Sequence, residues 1–269
     1  MSTHGAAAGA GVWTNPIDGS EMVFVPAGLF GMGISPAELE KALHACKVPV
    51  PYHGNFADGV PATEPFVPGF WIGRYAVTNR QFATYLTDAP HGTPDEETAF
   101  HKDRIARAAG TAGDFPASLI TWLEAADYCR WAGGRLPMEA EWEKAARGTD
   151  RRWFPWGNNV DPLRANTIET SHPFPDGVPV TKFAEWASPY GCIQMAGNIS
   201  HWCADWYEPT AYAAEGWASQ PRGPSYGTAK CIRGGDTTRP LVFARTSCRD
   251  YADPHLRPEF TGFRLVIDK

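Results

Sequence analysis

The sequence predicts one loop-rich domain that mixes short helices with short strands, and three observations carry this. Glycine and proline are frequent, with 27 and 24 among 269 residues, roughly a fifth of the chain against about an eighth in average usage. That much backbone punctuation argues against a helical bundle or a regular doubly wound sheet. Hydrophobic residues make up 43% and charged residues 20%, enough apolar surface for a sizeable core and too little charge for a solvated, disordered chain. Eleven Trp, 14 Phe and 9 Tyr supply large buried areas that can hold long loops in place. Neither an internal repeat nor a linker divides the chain, so a flexible Ala/Gly-rich tail over residues 1–14 and one domain over 15–269 are expected.

The elements follow in order. Met22-Val23-Phe24-Val25 before Pro26-Ala27-Gly28 reads as a strand entering a turn. Ser35, Pro36 and Glu38 set a cap, an N1 proline and a capping-box acid before Leu39 and Leu43, so a short helix follows. Phe70 to Ala76 reads as a second strand, and Thr78 with Gln81 opens a helix carrying Phe82, Tyr85 and Leu86. Residues 87–116 are polar without a period and read as a long loop or insertion. Thr121 and Glu124 open a helix through Trp131 that Gly133-Gly134 stops. Pro137 starts the last helix, with Glu139 and Glu141 in its first turn favouring the dipole and Gly148 ending it. Beyond Gly148 only short apolar pieces remain, separated by Gly, Pro, Asp and Asn.

A net charge of −6 with no Lys/Arg stripe argues against nucleic acid. No apolar run approaches the ~20 residues of a membrane span. Met1 to Gly11 lacks a basic start and a leucine-rich stretch, so a cytoplasmic location is expected. The six cysteines, Cys46, Cys129, Cys192, Cys203, Cys231 and Cys248, contain no Cys-x-x-Cys pair; reduced thiols are the default, though an even count permits disulfides. No Gly-x-Ser-x-Gly elbow supports a serine hydrolase.

Several segments together resemble the formylglycine-generating enzyme (sulfatase-modifying factor) family. They are Phe24-Val25-Pro26-Ala27-Gly28, Tyr75-Ala76-Val77-Thr78-Asn79, Tyr128-Cys129-Arg130-Trp131-Ala132-Gly133 and Arg135-Leu136-Pro137-Met138-Glu139-Ala140-Glu141-Trp142-Glu143. Phe154-Pro155-Trp156-Gly157-Asn158, Met195-Ala196-Gly197-Asn198, Arg233-Gly234-Gly235 and Gly262-Phe263-Arg264-Leu265 complete the set in the family's order. The resemblance implies a single α+β domain of C-type-lectin-like type with little regular structure, in which Trp142, Trp156 and Trp202 are core anchors. The family's name-giving enzyme is expected to hold copper with two cysteines five positions apart, a soft-ligand pair suited to Cu(I). Those positions fall at about Arg239 and Ala244 here, and Cys248 is the only thiol in the segment. Leu265 likewise stands where a partner for Cys129 is otherwise found.

From Arg233 to Val266 the chain is also similar to the second domain of the ergothioneine-pathway sulfoxide synthases, through Thr238-Arg239-Pro240, Pro254-His255 and Phe260-Thr261-Gly262-Phe263-Arg264. Those enzymes take iron on histidines of an added helical bundle, and no His-x-x-x-His-x-Glu run occurs here, so a metal site would be built differently or supplied by a partner protein.

The resemblance also implies two calcium sites. Asn166 and Asp176 with the Thr167 and Val178 carbonyls match a structural Ca²⁺ site of hard oxygen donors; the alternative is an Asn/Asp turn satisfying its own backbone. The second falls at Gln194, Gly197, Ile199 and His201, where Gln194 and His201 replace oxygen ligands. Either loop packing replaces that ion or His201 joins a borderline metal such as Zn²⁺, Fe²⁺ or Cu²⁺. Ser200 replaces a usual tryptophan and leaves space beside it.

Around that pocket lie Asp236, Thr238, Arg239, Arg245, Cys248, Arg249, His255 and Glu259. Asp236 stands in place of the family serine. Asp236 with His255 and Cys248 or Glu259 could hold Fe²⁺ or Cu; the arginines could orient an anionic substrate; and Cys248, ionised beside Arg249, could be a ligand or redox group. The expectation is a metal- and oxygen-dependent oxidoreductase acting on an amino-acid-derived or peptidyl substrate. The competing reading is a non-catalytic lectin-like binding module stabilised by calcium.

Overall fold

The computed structural model describes residues 11–89, 106, 109–170 and 177–269. Strands β1 (Trp13–Thr14), β2 (Glu21–Val25), β5 (Phe70–Gly73) and β10 (Val266–Asp268) form an antiparallel sheet in the order β1-β2-β5-β10. The chain's last strand thus closes onto its second and fifth. Strands β3 (Gly28–Leu29) and β4 (Phe66–Val67) make a separate two-stranded ribbon. Strands β6 (Ser200–Trp206), β7 (Lys230–Arg233), β8 (Arg249–Ala252) and β9 (Thr261–Gly262) form the second sheet, order β8-β7-β6-β9, with β6 and β9 parallel. The architecture is α+β.

Four helices carry the local signals read from the sequence. Helix α1 (Pro36–Ala45) starts where Ser35 accepts the Glu38 N–H, and α2 (Asn79–Asp88) and α3 (Trp122–Trp131) start on the Thr78/Gln81 and Thr121/Glu124 capping boxes. Helix α4 (Glu139–Arg147) begins two residues after Pro137, and Gly148 ends it at φ 71°. The cause of its acidic first turn is different from the one expected. Glu139 is buried and ion-paired to Arg233 and Arg249 rather than placed in solvent near the dipole.

Other differences are small. Trp13 and Thr14, assigned to the tail, pair with Met22 and Glu21; residues 1–10 lie outside the described residues. The second strand stops at Gly73. Helix α2 extends into the predicted 87–116 loop, whose described end is a 3₁₀ turn at Thr111–Asp114. Trp142 and Trp202 are fully buried, as anchors should be, whereas Trp156 is only partly buried and stacks on Phe154 at 5.1 Å. None of the six cysteines forms a disulfide. Among the described residues no helix is long and apolar enough to cross a membrane.

Candidate functional site

The second sheet has two chemically different faces, and strand alternation decides which residue goes where. Register pairs Ser200 with Thr261, Trp202 with Ile232 and Ile232 with Asp250 on one face. His201, Arg233 and Arg249 pair on the other. The inner face packs on α4. There Arg233 donates to Glu139 at 2.7 Å, to Glu143 and to the Tyr212 hydroxyl, and Arg249 donates to Glu139 at 2.8 Å.

The outer face floors a cleft of about 460 Å³. Ser200, Ile232, Asp250 and Ala252 form its base; the 236–239 loop after β7 and the 256–261 loop before β9 form its walls. Ser200 Oγ lies 2.8 Å from Thr261 Oγ1 and donates to the Phe260 carbonyl, which fixes the Ser200 hydroxyl at the floor. Asp236 Oδ1 accepts the Thr238 N–H at 2.8 Å and its hydroxyl at 2.6 Å. Arg239 closes on Asp250 at 3.3 Å and lies over the Phe243 ring. Arg257 is held by Glu124 and donates to the Leu119 carbonyl.

Of the residues expected in the pocket, Ser200, Asp236, Thr238, Arg239 and Glu259 meet in this cleft. The others do not. Arg245 is buried, donates to the Val242 carbonyl at 3.0 Å and lies over Phe56. Arg249 belongs to the inner face. His255 is exposed, and its backbone N–H donates to Asp253. Cys248 sits in an apolar cluster with Leu43, Phe56 and Val242. Burial pushes its thiol up to about 11, the nearby Arg245 guanidinium only partly opposing it, and Arg249 spends its guanidinium on Glu139. The expectation of an ionised Cys248 is therefore corrected: desolvation outweighs the neighbouring positive charge. With a pKa near 11, fewer than about one molecule in a thousand holds the thiolate at pH 7.5. Iodoacetamide at that pH should leave Cys248 unlabelled in the folded protein, and mass-spectrometric detection of prompt labelling would contradict this.

Asp236, Cys248 and His255 accordingly stand in three different environments, and no group of three or more His, Cys, Asp or Glu able to hold a metal gathers among the described residues. The copper positions do not fit copper either. Arg239 presents a guanidinium, and Ala244 is buried in an apolar cluster with Phe154 and Leu241; neither offers a thiolate.

The two calcium segments are joined by side-chain amides. Asn198 Oδ1 accepts from Asn166 Nδ2 at 3.2 Å and from the Val178 N–H at 2.9 Å. Its Nδ2 donates to the Val178 carbonyl at 3.0 Å and to Gln194 Oε1 at 2.8 Å. Gln194 Nε2 in turn donates to the Pro179 and Lys182 carbonyls, and the Thr167 carbonyl accepts the Thr170 N–H. The Val178 and Thr167 carbonyls and the Gln194 oxygen thus already have partners; Asp176 lies outside the described residues. An amide both donates and accepts, so Asn198 can bridge oxygens that a cation otherwise bridges. Gly197 at φ 73° is required in this turn, since a Cβ would meet the Asn166 carbonyl at 2.6 Å. Ile199 packs with Ala76 and Val180.

His201 departs from the expected arrangement as well. It lies on the opposite face of β6 from Ser200, so the two do not share a pocket. Trp142 Nε1 donates to its Nδ1 at 3.3 Å, and burial, with Arg264 nearby, holds its pKa well below the usual imidazole value. Among residues that sequence reasoning missed, Asp250, Arg257 and Asn198 matter most. Alternation along Arg249–Ala252 was the available signal for Asp250; Arg257 finds Glu124 and Leu119, 133 and 138 residues away, and Asn198 joins Gln194, four residues away, to Asn166 and Val178 farther off.

Comparison with known proteins gives a consistent result. The model of the sulfatase-modifying factor enzyme 1-like domain matches residues 11–269. A formylglycine-generating enzyme of Thermomonospora curvata is 33% identical over 92% of this chain and 93% of its own length. A hercynine oxygenase of Mycolicibacterium smegmatis is 29% identical over 77% of this chain and 55% of its own. Among solved structures, PvdO from Pseudomonas aeruginosa superposes with a TM-score of 0.72 at 25% identity, covering 98% of this chain and all of that one.

Proposed function

Because the chain belongs to the sulfatase-modifying factor enzyme 1-like family, we propose that its cleft binds an amino-acid-derived or peptidyl substrate for an O₂-dependent oxidation that uses no copper–dithiolate centre. The observation that carries this reading is the cleft itself, where Asp236 and Arg239 occupy the segment that in the family's name-giving enzyme is expected to bind copper. The oxidative half of the reading is supported by similarity to a formylglycine-generating enzyme and to a hercynine oxygenase.

Arg239 is the group for a substrate carboxylate. Its side chain is 44% exposed and, among the described residues, has one carboxylate partner, Asp250 at 43%. Such a pair is worth only about 0–1 kcal/mol, so a bidentate substrate carboxylate can displace it at small cost. Ser200 and Thr261 put hydroxyls at the floor where a substrate backbone can bond. The described residues offer no ligand set for a redox metal, which in this reading arrives with the substrate or from a partner protein.

Oxygen uptake should be followed with Fe²⁺ or Cu⁺ across a panel of amino acids and peptides. The expected result is uptake with at least one substrate, reduced about tenfold or more by Arg239→Ala through lost charge-assisted bonds, with an unchanged melting temperature. Silence with every metal, together with tight ligand binding, would instead support the non-catalytic binding module.

A further inference from the structure

Among the described residues, five charged side chains line the cleft: Asp236, Asp250, Glu259, Arg239 and Arg257. Each guanidinium already has a carboxylate partner. Arg239 is closed on Asp250, and Arg257 is held by Glu124, which stands on α3 outside the cleft. Asp236 and Glu259 are left over. Asp236 accepts from the Thr238 N–H and hydroxyl, which are neutral donors and leave its charge uncompensated. Neither carboxylate makes an ion pair among the described residues. They come from two different loops that line the same cleft, one after β7 and one before β9, and Ile232 and Ala252 line it with them.

Resting on the substrate cleft described above, we infer that Asp236 and Glu259 select ligands bearing an N–H cation, an ammonium or guanidinium group, over anions of the same size. Unpaired carboxylates lining a cleft gain charge-assisted hydrogen bonds only from such a donor. An aliphatic stem fits against Ile232 and Ala252, and the volume of about 460 Å³ accommodates an amino-acid-sized ligand. A divalent metal is the poorer occupant, because no third carboxylate, His or Cys joins these two in a metal-holding group among the described residues. With Arg239 released from Asp250, the same cleft holds both ends of an amino-acid zwitterion.

Calorimetric titration at low ionic strength with pentane-1,5-diamine and with glutarate, equal in chain length and opposite in charge, tests this. The diamine should bind at least tenfold more tightly. Asp236→Asn and Glu259→Gln should each weaken it about tenfold, equivalent to about 1.4 kcal/mol, with the melting temperature unchanged; Asn keeps the oxygen that holds Thr238. Equal or tighter glutarate binding, no diamine binding at millimolar concentration, or wild-type diamine affinity in both variants would overturn the inference. Oxygen uptake separates it from the functional reading. Diamine binding without uptake by any amine or amino acid leaves the cation preference standing and removes the oxidation, whereas uptake whose KM is unaltered by Glu259→Gln does the reverse.

Discussion

Replacing Arg233 by methionine should destabilise the fold by about 3–5 kcal/mol, the cost of leaving buried charge without its partner. Arg233 is 1% exposed and joins α4 to the inner face of the second sheet through Glu139, Glu143 and the Thr246 carbonyl. Methionine fills much of the volume but returns none of the donors, so among the described residues Glu143 keeps Arg147 and the Gly33 N–H, and Glu139 keeps Arg249 and the Cys231 thiol. Denaturant unfolding of wild type and variant measures the loss; a change below about 1 kcal/mol, ordinary for a surface substitution, would mean that the network is not a structural brace.

The deficit should depend on pH with a definite sign. Burial raises the Glu139 pKa, but the Arg249 and Arg233 guanidinium groups outweigh it and hold the carboxyl at about 2, below the usual 4.5. A carboxyl depressed in the folded state contributes stability above its unfolded pKa and loses it as pH falls toward the folded value. Wild type should therefore lose this contribution between about pH 4.5 and 2. With one guanidinium removed, Glu139 is less depressed and the variant has less to lose, so the gap between the two proteins should narrow on acidification. A gap constant from pH 7 to 3 would show that Glu139 is not the group through which Arg233 acts.

Trp142→Ala should cost a comparable amount, about 3–5 kcal/mol for emptying a buried indole site. Trp142 is completely buried in the main cluster beside Val25, Phe70 and Cys203, and its Nε1 donates to His201. Truncation leaves both a cavity and a buried imidazole nitrogen without its donor. Because His201 lies on β6 directly beside Ser200, relaxation of the inner face should reach the cleft floor, and ligand affinity should fall with stability. Trp186→Ala makes the contrast. That ring is partly exposed and covers the Arg164 guanidinium at 4.0 Å, an interaction worth about 0.5–1 kcal/mol at such a site. Thermal unfolding of both variants distinguishes them, and equal effects would refute the assignment of Trp142 as the core's anchor.

The parts of this molecule legible in its sequence share a short range. Ser35 with Glu38, Thr78 with Gln81 and Thr121 with Glu124 satisfy helix-end donors within three residues, and Gly148 ends α4 through its own φ, so one-dimensional spacing is enough to place three helices and the end of a fourth. The apolar run Met22-Val23-Phe24-Val25 ahead of Pro26-Ala27-Gly28 marked β2 in the same way. The family motifs predicted the α+β architecture because most of them are packing and turn residues. Within the candidate site, Asp236 and Thr238 were legible for a similar reason: their contact spans two residues.

Membership of the site was decided by tertiary structure. Ser200 and His201 are adjacent in sequence and face opposite sides of β6, one toward the cleft, the other toward Trp142. Arg249 and Asp250 divide in the same way, so an arginine expected to hold substrate became a core brace and an unnoticed aspartate became a cleft residue. Arg233 finds Glu139 across 94 residues and Arg249 finds it across 110. Local composition records that such charges exist but carries no information on which strand register will pair them. The sequence by itself determined the family, the helix starts and the pool of polar residues available for a site. Sheet register and burial determined which of them face a ligand, because a side chain's charge state and reach depend on the low-dielectric neighbours that only folding brings to it.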